Sequence, residues 1–268
     1  MGKKKLRVAL TIAGSDSGGG AGIQADLKTF HQFGVFGTSA VVAVTAQNTV
    51  GVTAVHSVPL ETVVAQIEAV AGDLPPHAVK TGMLATAPLV RGVAATIEAR
   101  GLRNLVVDPV MVASSGDRLL ETDAVETLAG DLLPLATVVT PNIPEAELLA
   151  GMSIREPEEM KAAGRVLLEM GAGATLIKGG HLESAEVVDV LITPDDTVLF
   201  RRPKLDTEST HGTGCTLSAA ITAGLATGLS LKPAVEQALD FVHRAIRDAP
   251  GLGSGHGPLN HFVGIEDE

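Results

Sequence analysis

The residues best suited to chemistry lie together in His211-Gly212-Thr213-Gly214-Cys215-Thr216-Leu217-Ser218-Ala219-Ala220. Two glycines flank Thr213, so the backbone can approach a ligand closely just where an Ala- and Leu-rich helical pattern begins. N–H groups at a helix start point the same way and carry its positive partial charge, which makes the segment a cradle for an anion. Cys215, the single cysteine, falls at that helix start, where a thiol is expected to ionise more easily than in free solution. One stretch thus offers an anion cradle and a candidate base. It reads as readily as a glycine-containing helix start around a small buried cysteine.

Other candidates sit at the ends of apolar runs. Gly14-Ser15-Asp16-Ser17-Gly18-Gly19-Gly20-Ala21-Gly22 separates the run Leu6 to Ala13 from a helix with Ile23, Leu27 and Phe30 on one face. Strand, glycine loop and helix form a ligand-binding layout in α/β proteins. Gly20-Ala21-Gly22-Ile23-Gln24-Ala25 matches a loose dinucleotide fingerprint, yet the acidic residue expected about 20 positions on is missing, because Glu61 is the next after Asp26. Gln47 ends the apolar run 39 to 46, read as one buried strand, and either satisfies loop backbone groups or faces a ligand. Asp108 follows Leu105-Val106-Val107 and is either a turn former or a carboxylate on the ligand side of a sheet. Asn142 and Glu145 match a capping box, and Lys178 ends the run Thr175-Leu176-Ile177.

The elements that must position these groups alternate. Helical spacing appears at Val63, Ile67 and Val70, at Leu89, Val93 and Ile97 behind Thr86 and Pro88, at Met160, Ala163 and Leu167 behind Pro157, and at Val235, Ala238, Val242 and Ile246. A further helix is expected from Glu121 to Leu133. Between them fall strands at 78 to 83, 105 to 107, 136 to 140 and 175 to 181, a hairpin at 186 to 192 and 197 to 201, and a short flap strand at 52 to 58. With no internal repeat and no break in composition, the expectation is one α/β domain over residues 1–268: a mostly parallel sheet covered on both faces, with the 52 to 58 region as an accessory.

Composition narrows the partners. A formal net charge of −11 speaks against a nucleic-acid backbone, and with no Trp, no Tyr and six Phe there is no aromatic platform for bases. One cysteine leaves no internal disulfide and no CxxC motif. There is no P-loop motif, and no apolar run reaches the roughly 18 residues of a membrane helix. Met1-Gly2-Lys3-Lys4-Lys5-Leu6 has neither an apolar signal core nor the Ser or Thr that myristoylation wants at position 6, so the expected location is the cytoplasm.

In their order, Leu10 to Asp16, Gly19 to Asp26, Ala46-Gln47-Asn48, Lys80-Thr81-Gly82-Met83-Leu84, Thr140-Pro141-Asn142-Ile143-Pro144-Glu145, Lys178-Gly179-Gly180-His181, His211 to Cys215 and Gly255-His256-Gly257-Pro258 resemble one family. It is the hydroxymethylpyrimidine/phosphomethylpyrimidine kinase family of thiamine biosynthesis, a branch of the ribokinase-like superfamily. The resemblance implies a three-layer α/β/α fold, a homodimer, and two successive phosphorylations of 4-amino-5-hydroxymethyl-2-methylpyrimidine, with ATP as co-substrate and Mg²⁺. It implies that Gln47 binds the pyrimidine edge, with Gly14, Met83 and Val110 around the ring and Asp26 near the site. The amides of Gly212, Thr213, Gly214 and Cys215 become the anion hole, and Lys178 reaches the ATP phosphates. Asn142 and Glu145 match the superfamily's Asn-x-x-Glu motif, which positions Mg²⁺ and phosphates through water, with Asp108 a further contributor. Sugar kinases of the superfamily carry an aspartate as base where this chain has Cys215, which makes Cys215 the candidate base here. The resemblance also leaves open a pyridoxal kinase or an enzyme accepting both alcohols. His211 is expected to be structural or to support its neighbours, without catalytic duty.

Overall fold

The central strands are apolar on both faces, as a parallel sheet covered from both sides requires. The computed structural model, which describes residues 6–111, 122–182 and 184–265, contains that sheet. In chain order the first half comprises β1 (Val8–Ala13), α1 (Gly22–Gln32), β2 (Phe36–Val41), β3 (Ala43–Gln47), β4 (Val52–Ser57), α2 (Leu60–Asp73), β5 (Ala78–Thr81), α3 (Ala87–Ala99) and β6 (Leu105–Val107). There follow α4 (Thr122–Thr127), β7 (Val138–Val139), α5 (Ile143–Ala150), α6 (Pro157–Glu169), β8 (Thr175–Ile177), β9 (Glu186–Ile192), β10 (Thr197–Pro203), α7 (Thr213–Thr227) and α8 (Leu231–Arg247). The main sheet has eight strands in the order β10-β9-β8-β7-β6-β5-β1-β2. Neighbours from β2 to β8 run parallel, whereas β9 and β10 are antiparallel.

Alternation within each strand sorts the two faces. Leu10, Ile12, Val79, Val107 and Val139 pack with α2, α3 and α4, and Ile177, Val190 and Ile192 with α5 and α6. Ala9, Ala78, Val106, Val138 and Leu176 face α1, α7 and α8. Helix α7 is buried from Thr216 to Ala226 because its small residues let neighbours close in; a Cβ at Gly224 would sit 2.9 Å from that of Ala234 on α8. The three-layer α/β/α architecture is thus present.

Two expectations of element shape are corrected. Residues 39 to 46 are not one buried strand: β2 ends at Val41, and β3 leaves the sheet to pair antiparallel with β4 as a two-stranded flap. Strand β2 lies at the sheet edge with β1 as its only neighbour among the described residues, and the pairing stops where β1 stops, at Ala13 opposite Val41. Past that point the chain must find another partner. The expected helix 121 to 133 breaks into α4, a π-helical turn over Leu128–Leu132 and a 3-10 turn over Leu133–Leu135, with Pro134 in the last of these. Its expected first residue, Glu121, lies outside the described residues, as do the basic start at 1–5 and the acidic end at 266–268.

Candidate active site

The loops after β1, β5, β6, β7 and β8 leave the sheet at its carboxyl ends, where open α/β sheets bind ligands. The start of α7 joins them. Gly212 adopts φ 82° as its N-cap, a conformation that a side chain would strain, and no side chain caps the helix. Thr213 N donates to Thr210 O at 3.2 Å, so the amides at Gly212, Gly214 and Cys215 are the first-turn donors that backbone capping leaves over. A Cβ on Gly212 would also collide with the carbonyl oxygen of Gly20, so the two glycine segments touch. A Cβ on Gly214 would lie 3.2 Å from Lys178 Nζ and 3.6 Å from Asp108 Oδ2, which sets the charged groups beside the cradle.

Those charged groups form one cluster. Lys178 Nζ donates to Asp108 Oδ1 at 3.1 Å and lies 3.8 Å from Glu145 Oε2. Ser218 Oγ, one turn into α7, reaches Asp108 Oδ2 at 3.2 Å. The capping box is complete: Glu145 N donates to Asn142 Oδ1 at 2.9 Å, and Asn142 N to Glu145 Oε2 at 2.8 Å. Burial pushes the Glu145 carboxyl up to about 7; the Lys178 ammonium and the N–H groups of Asn142 and Met111 oppose this, and Asp108 adds to it. Burial would push Lys178 down, but Asp108 and Glu145 reverse that and hold the ammonium charged.

Gly14, Gln47, Met83 and Val110 are the residues expected around a substrate ring. A Cβ on Gly14 would sit 2.6 Å from Met83 Cε, so the sulfur-bearing chain lies against bare backbone. Val110 packs, partly buried, on the core around Met111 and Leu84. Gln47 stands at the flap's end, beside an irregularity in the β3–β4 pairing between Ala46 and Gln47. Its Oε1 lies 3.3 Å from Thr45 Oγ1, whose proton goes at shorter range to Ser15 O, 2.8 Å away. Asp26 lies under this region with no exposure: its Oδ1 takes Lys80 Nζ at 2.6 Å and its Oδ2 takes Thr11 Oγ1 at 2.6 Å. Both oxygens are engaged by protein groups, Lys80 and Thr11.

The expectation of an easily ionised Cys215 is corrected. Burial pushes the thiol up to about 11. The Lys80 ammonium and the Gly22 N–H pull it down, and the carboxylates of Asp26 and Asp108 raise it further. Loss of water outweighs the helix start here.

Four residues of this arrangement were missed by the sequence reading. Lys80 is fully buried, and a lysine inside the run Ala78-Val79-Lys80 is itself a sign that a carboxylate must be near. Asp16 Oδ2 lies 2.8 Å from His211 Nε2. Burial raises the Asp16 carboxyl, but His211 and the N–H groups of Ala21 and Gly18 outweigh it and leave it lowered. Asp189 accepts from Gly179 N at 2.9 Å and shapes the turn after Lys178. Ser218 lay within the 211–220 stretch, but its partner Asp108 is 110 positions away and gave no local sign of the contact. His211 lies between Asp16 and Gly257, whose carbonyl oxygen accepts the His211 backbone N–H at 3.1 Å. A basic depression of about 550 Å³, lined by Arg7, His77, Arg100 and Arg103, lies at the opposite, amino ends of β1, β5 and β6 and includes none of these residues.

Among the described residues, no helix is long and apolar enough to cross a membrane. Comparison with known proteins matches residues 16–260 to the family model described as phosphomethylpyrimidine kinase. The chain is 51% identical over 256 residues to the hydroxymethylpyrimidine/phosphomethylpyrimidine kinase of Bacillus subtilis, covering 95% of this chain and 94% of that one. The structure of phosphomethylpyrimidine kinase from Clostridium difficile superposes with a TM-score of 0.81 at 43% identity, over 90% of this chain and 99% of the other. The pyridoxal kinase of Staphylococcus aureus, in complex with AMP-PCP and pyridoxal, gives 0.89 at 36% identity, over 96% and 94%. With the glycine cradle, the Asn-x-x-Glu cap and the flap all in one ribokinase-like frame, the chain belongs to the phosphomethylpyrimidine kinase family.

Proposed function

We propose that this protein transfers the γ-phosphoryl group of ATP to the hydroxymethyl group of 4-amino-5-hydroxymethyl-2-methylpyrimidine, and a second one to the resulting monophosphate, in thiamine biosynthesis. The observation that carries this reading is the uncapped start of α7, with φ 82° at Gly212, set beside the Lys178–Asp108 pair at 3.1 Å. Phosphoryl transfer asks for in-line placement and neutralised charge, with little covalent help. The amides of Gly212, Thr213, Gly214 and Cys215 supply hydrogen bonds to the transferring group, and Lys178 supplies a positive charge alongside. Gln47 presents an amide that donates and accepts at once, which suits a ring nitrogen next to an exocyclic amine. Gly14, Met83 and Val110 give that ring an apolar surround.

Mg²⁺ belongs to the same reading. Glu145 and Asn142 offer hard oxygen donors, but both are engaged in the capping box, and among the described residues no group of three ligating side chains forms. That set suits a cation carried mainly by water and phosphate oxygens, as Mg²⁺ commonly is. When bound, Mg²⁺ would neutralise phosphate charge; Asp108 holds Lys178 in register next to it.

Cys215 Sγ is assigned the alcohol's proton in the first step. With the thiol pushed up to about 11, this base draws on a small thiolate fraction near neutrality. The second step starts from a phosphate, which has no hydroxyl proton to lose.

We further assign the chain to one ribokinase-like domain over residues 1–268, to the cytoplasm and to a homodimer. The flap and the sheet edge support the dimer, since Val44, Val55 and Phe36 are 52%, 50% and 50% exposed on adjoining strands. The likeness to a pyridoxal kinase that binds pyridoxal favours a second reading, in which pyridoxal is also accepted. Incubation with Mg-ATP and either alcohol, followed by mass analysis, decides between them. Mono- and diphosphate of the pyrimidine support the main reading; pyridoxal phosphate alone would replace it.

A further inference from the structure

Residues 15 to 17 divide their hydrogen bonds between two sides of the site. Toward the flap, Ser15 N donates to Ala43 O at 2.8 Å, and Thr45 Oγ1 donates to Ser15 O at 2.8 Å. Ser17 Oγ donates to Gln47 O and accepts from Gln47 N, each at 2.7 Å, so one hydroxyl holds both backbone groups of that residue. Toward the cradle, Asp16 Oδ2 accepts from Gly20 N at 3.0 Å and Ala21 N at 2.8 Å, and lies 2.8 Å from His211 Nε2. Asp16 Oδ1 takes Gly18 N at 2.8 Å. The carboxylate is 1% exposed. His211 opens the turn whose next residue, Gly212, lies against Gly20.

Gln47 and Gly212 belong to distant elements, the flap and the start of α7, and no hydrogen bond joins those elements directly among the described residues. Three consecutive residues bridge them instead, beside a looser link in which Gly255 N donates to Thr49 Oγ1 at 3.4 Å and His211 N to Gly257 O at 3.1 Å. A flap of two strands is weakly held by itself, so the place of Gln47 depends on what clamps it. We propose that Ser15, Asp16 and Ser17 form a positioning strap that sets the separation between the edge that reads the alcohol and the cradle that receives the phosphoryl group. Within it Ser17 is the positioning residue for Gln47, and Asp16 the positioning residue for the His211 turn. The inference rests on the assignment of Gln47 and residues 211–215 made above.

The test uses the full chain with Ser17→Ala, Ser17→Thr, Asp16→Asn and, as control, Gln47→Leu. Steady-state kinetics with the pyrimidine alcohol and Mg-ATP are paired with amide hydrogen exchange. Ser17→Ala should raise KM for the alcohol about five- to tenfold, the scale of one net hydrogen bond, with a smaller effect on kcat. Exchange should quicken in 43–48 and stay unchanged in 211–217, and Ser17→Thr, which keeps the hydroxyl, should restore both. Asp16→Asn should lower kcat by about a hundredfold, as misplaced reacting groups do, and quicken exchange in 16–21 and 211–217 together. The strap is overturned if Ser17→Ala quickens 43–48 yet leaves KM alone while Gln47→Leu raises it, or if Asp16→Asn disturbs only 16–21. If Gln47→Leu itself leaves KM unchanged, the assignment of Gln47 fails, and the strap is then judged on Asp16→Asn alone.

Discussion

Asp26 Oδ1 and Lys80 Nζ lie 2.6 Å apart, with neither side chain exposed to solvent. Burial favours loss of the Lys80 proton; the Asp26 carboxylate, with Asp108 further off, reverses this and raises the ammonium's pKa. Thr11 Oγ1 donates to the other oxygen at 2.6 Å, so the charge pair is also satisfied by hydrogen bonding. It sits between β1, β5 and α1, directly under the loops of the site.

Breaking that pair on one side leaves an uncompensated charge in the core. Lys80→Met is expected to lower unfolding free energy by about 3–5 kcal/mol, whereas Asp26→Asn with Lys80→Met together should recover most of the loss. Urea unfolding of the three variants measures this. A double variant as unstable as Lys80→Met would mean that packing, and not charge, governs the position.

Cys215 bears on the first phosphorylation through its thiolate. With burial pushing the thiol up to about 11, the base-active fraction rises about tenfold for each pH unit below that value. The first phosphorylation should therefore quicken from pH 7 to 9 while the second stays nearly flat, and Cys215→Ala should lose most of the first step and keep more of the second. Single-turnover rates for each step, measured across that range, check the division. Equal losses in both steps would remove the base role.

Gln47 is held by its backbone through Ser17, and its carboxamide, with Oε1 3.3 Å from Thr45 Oγ1, is the group proposed to read a ring edge. Gln47→Leu should raise KM for the pyrimidine about tenfold or more, because the ring's polar edge is then left unpaired, with KM for ATP unmoved. Initial-rate measurements varying each substrate in turn provide the comparison.

His261 is buried beside α7, its Nε2 3.0 Å from Thr216 Oγ1. Burial, aided by Lys28, pushes the imidazole down from 6.5 to about 4. Between those values the unfolded chain binds the proton and the folded chain does not, so stability falls as pH drops from about 6.5 toward about 4, by up to about 1.4 kcal/mol per pH unit. His261→Gln should flatten that slope. Urea midpoints at pH 7 and pH 5 for both proteins measure it, and equal slopes would place the acid sensitivity elsewhere.

What the sequence determined by itself was local: the ends of apolar runs, the capping box at Asn142 and Glu145, the glycine turn at 212 and the order of motifs that marks the family. Each depends on a few adjacent residues, through backbone conformation and hydrogen bonds of short reach. The tertiary structure decided the rest. Lys80 meets Asp26 across 54 positions and His211 meets Asp16 across 195, partnerships that no short window of sequence contains. It also parted β3 from β2, because a strand at a sheet edge goes where a partner exists, and it reversed the expectation for Cys215. Helix geometry favours a thiolate there, but burial outweighs it, with the carboxylates of Asp26 and Asp108 adding to the rise, and only the folded chain brings those groups to Cys215.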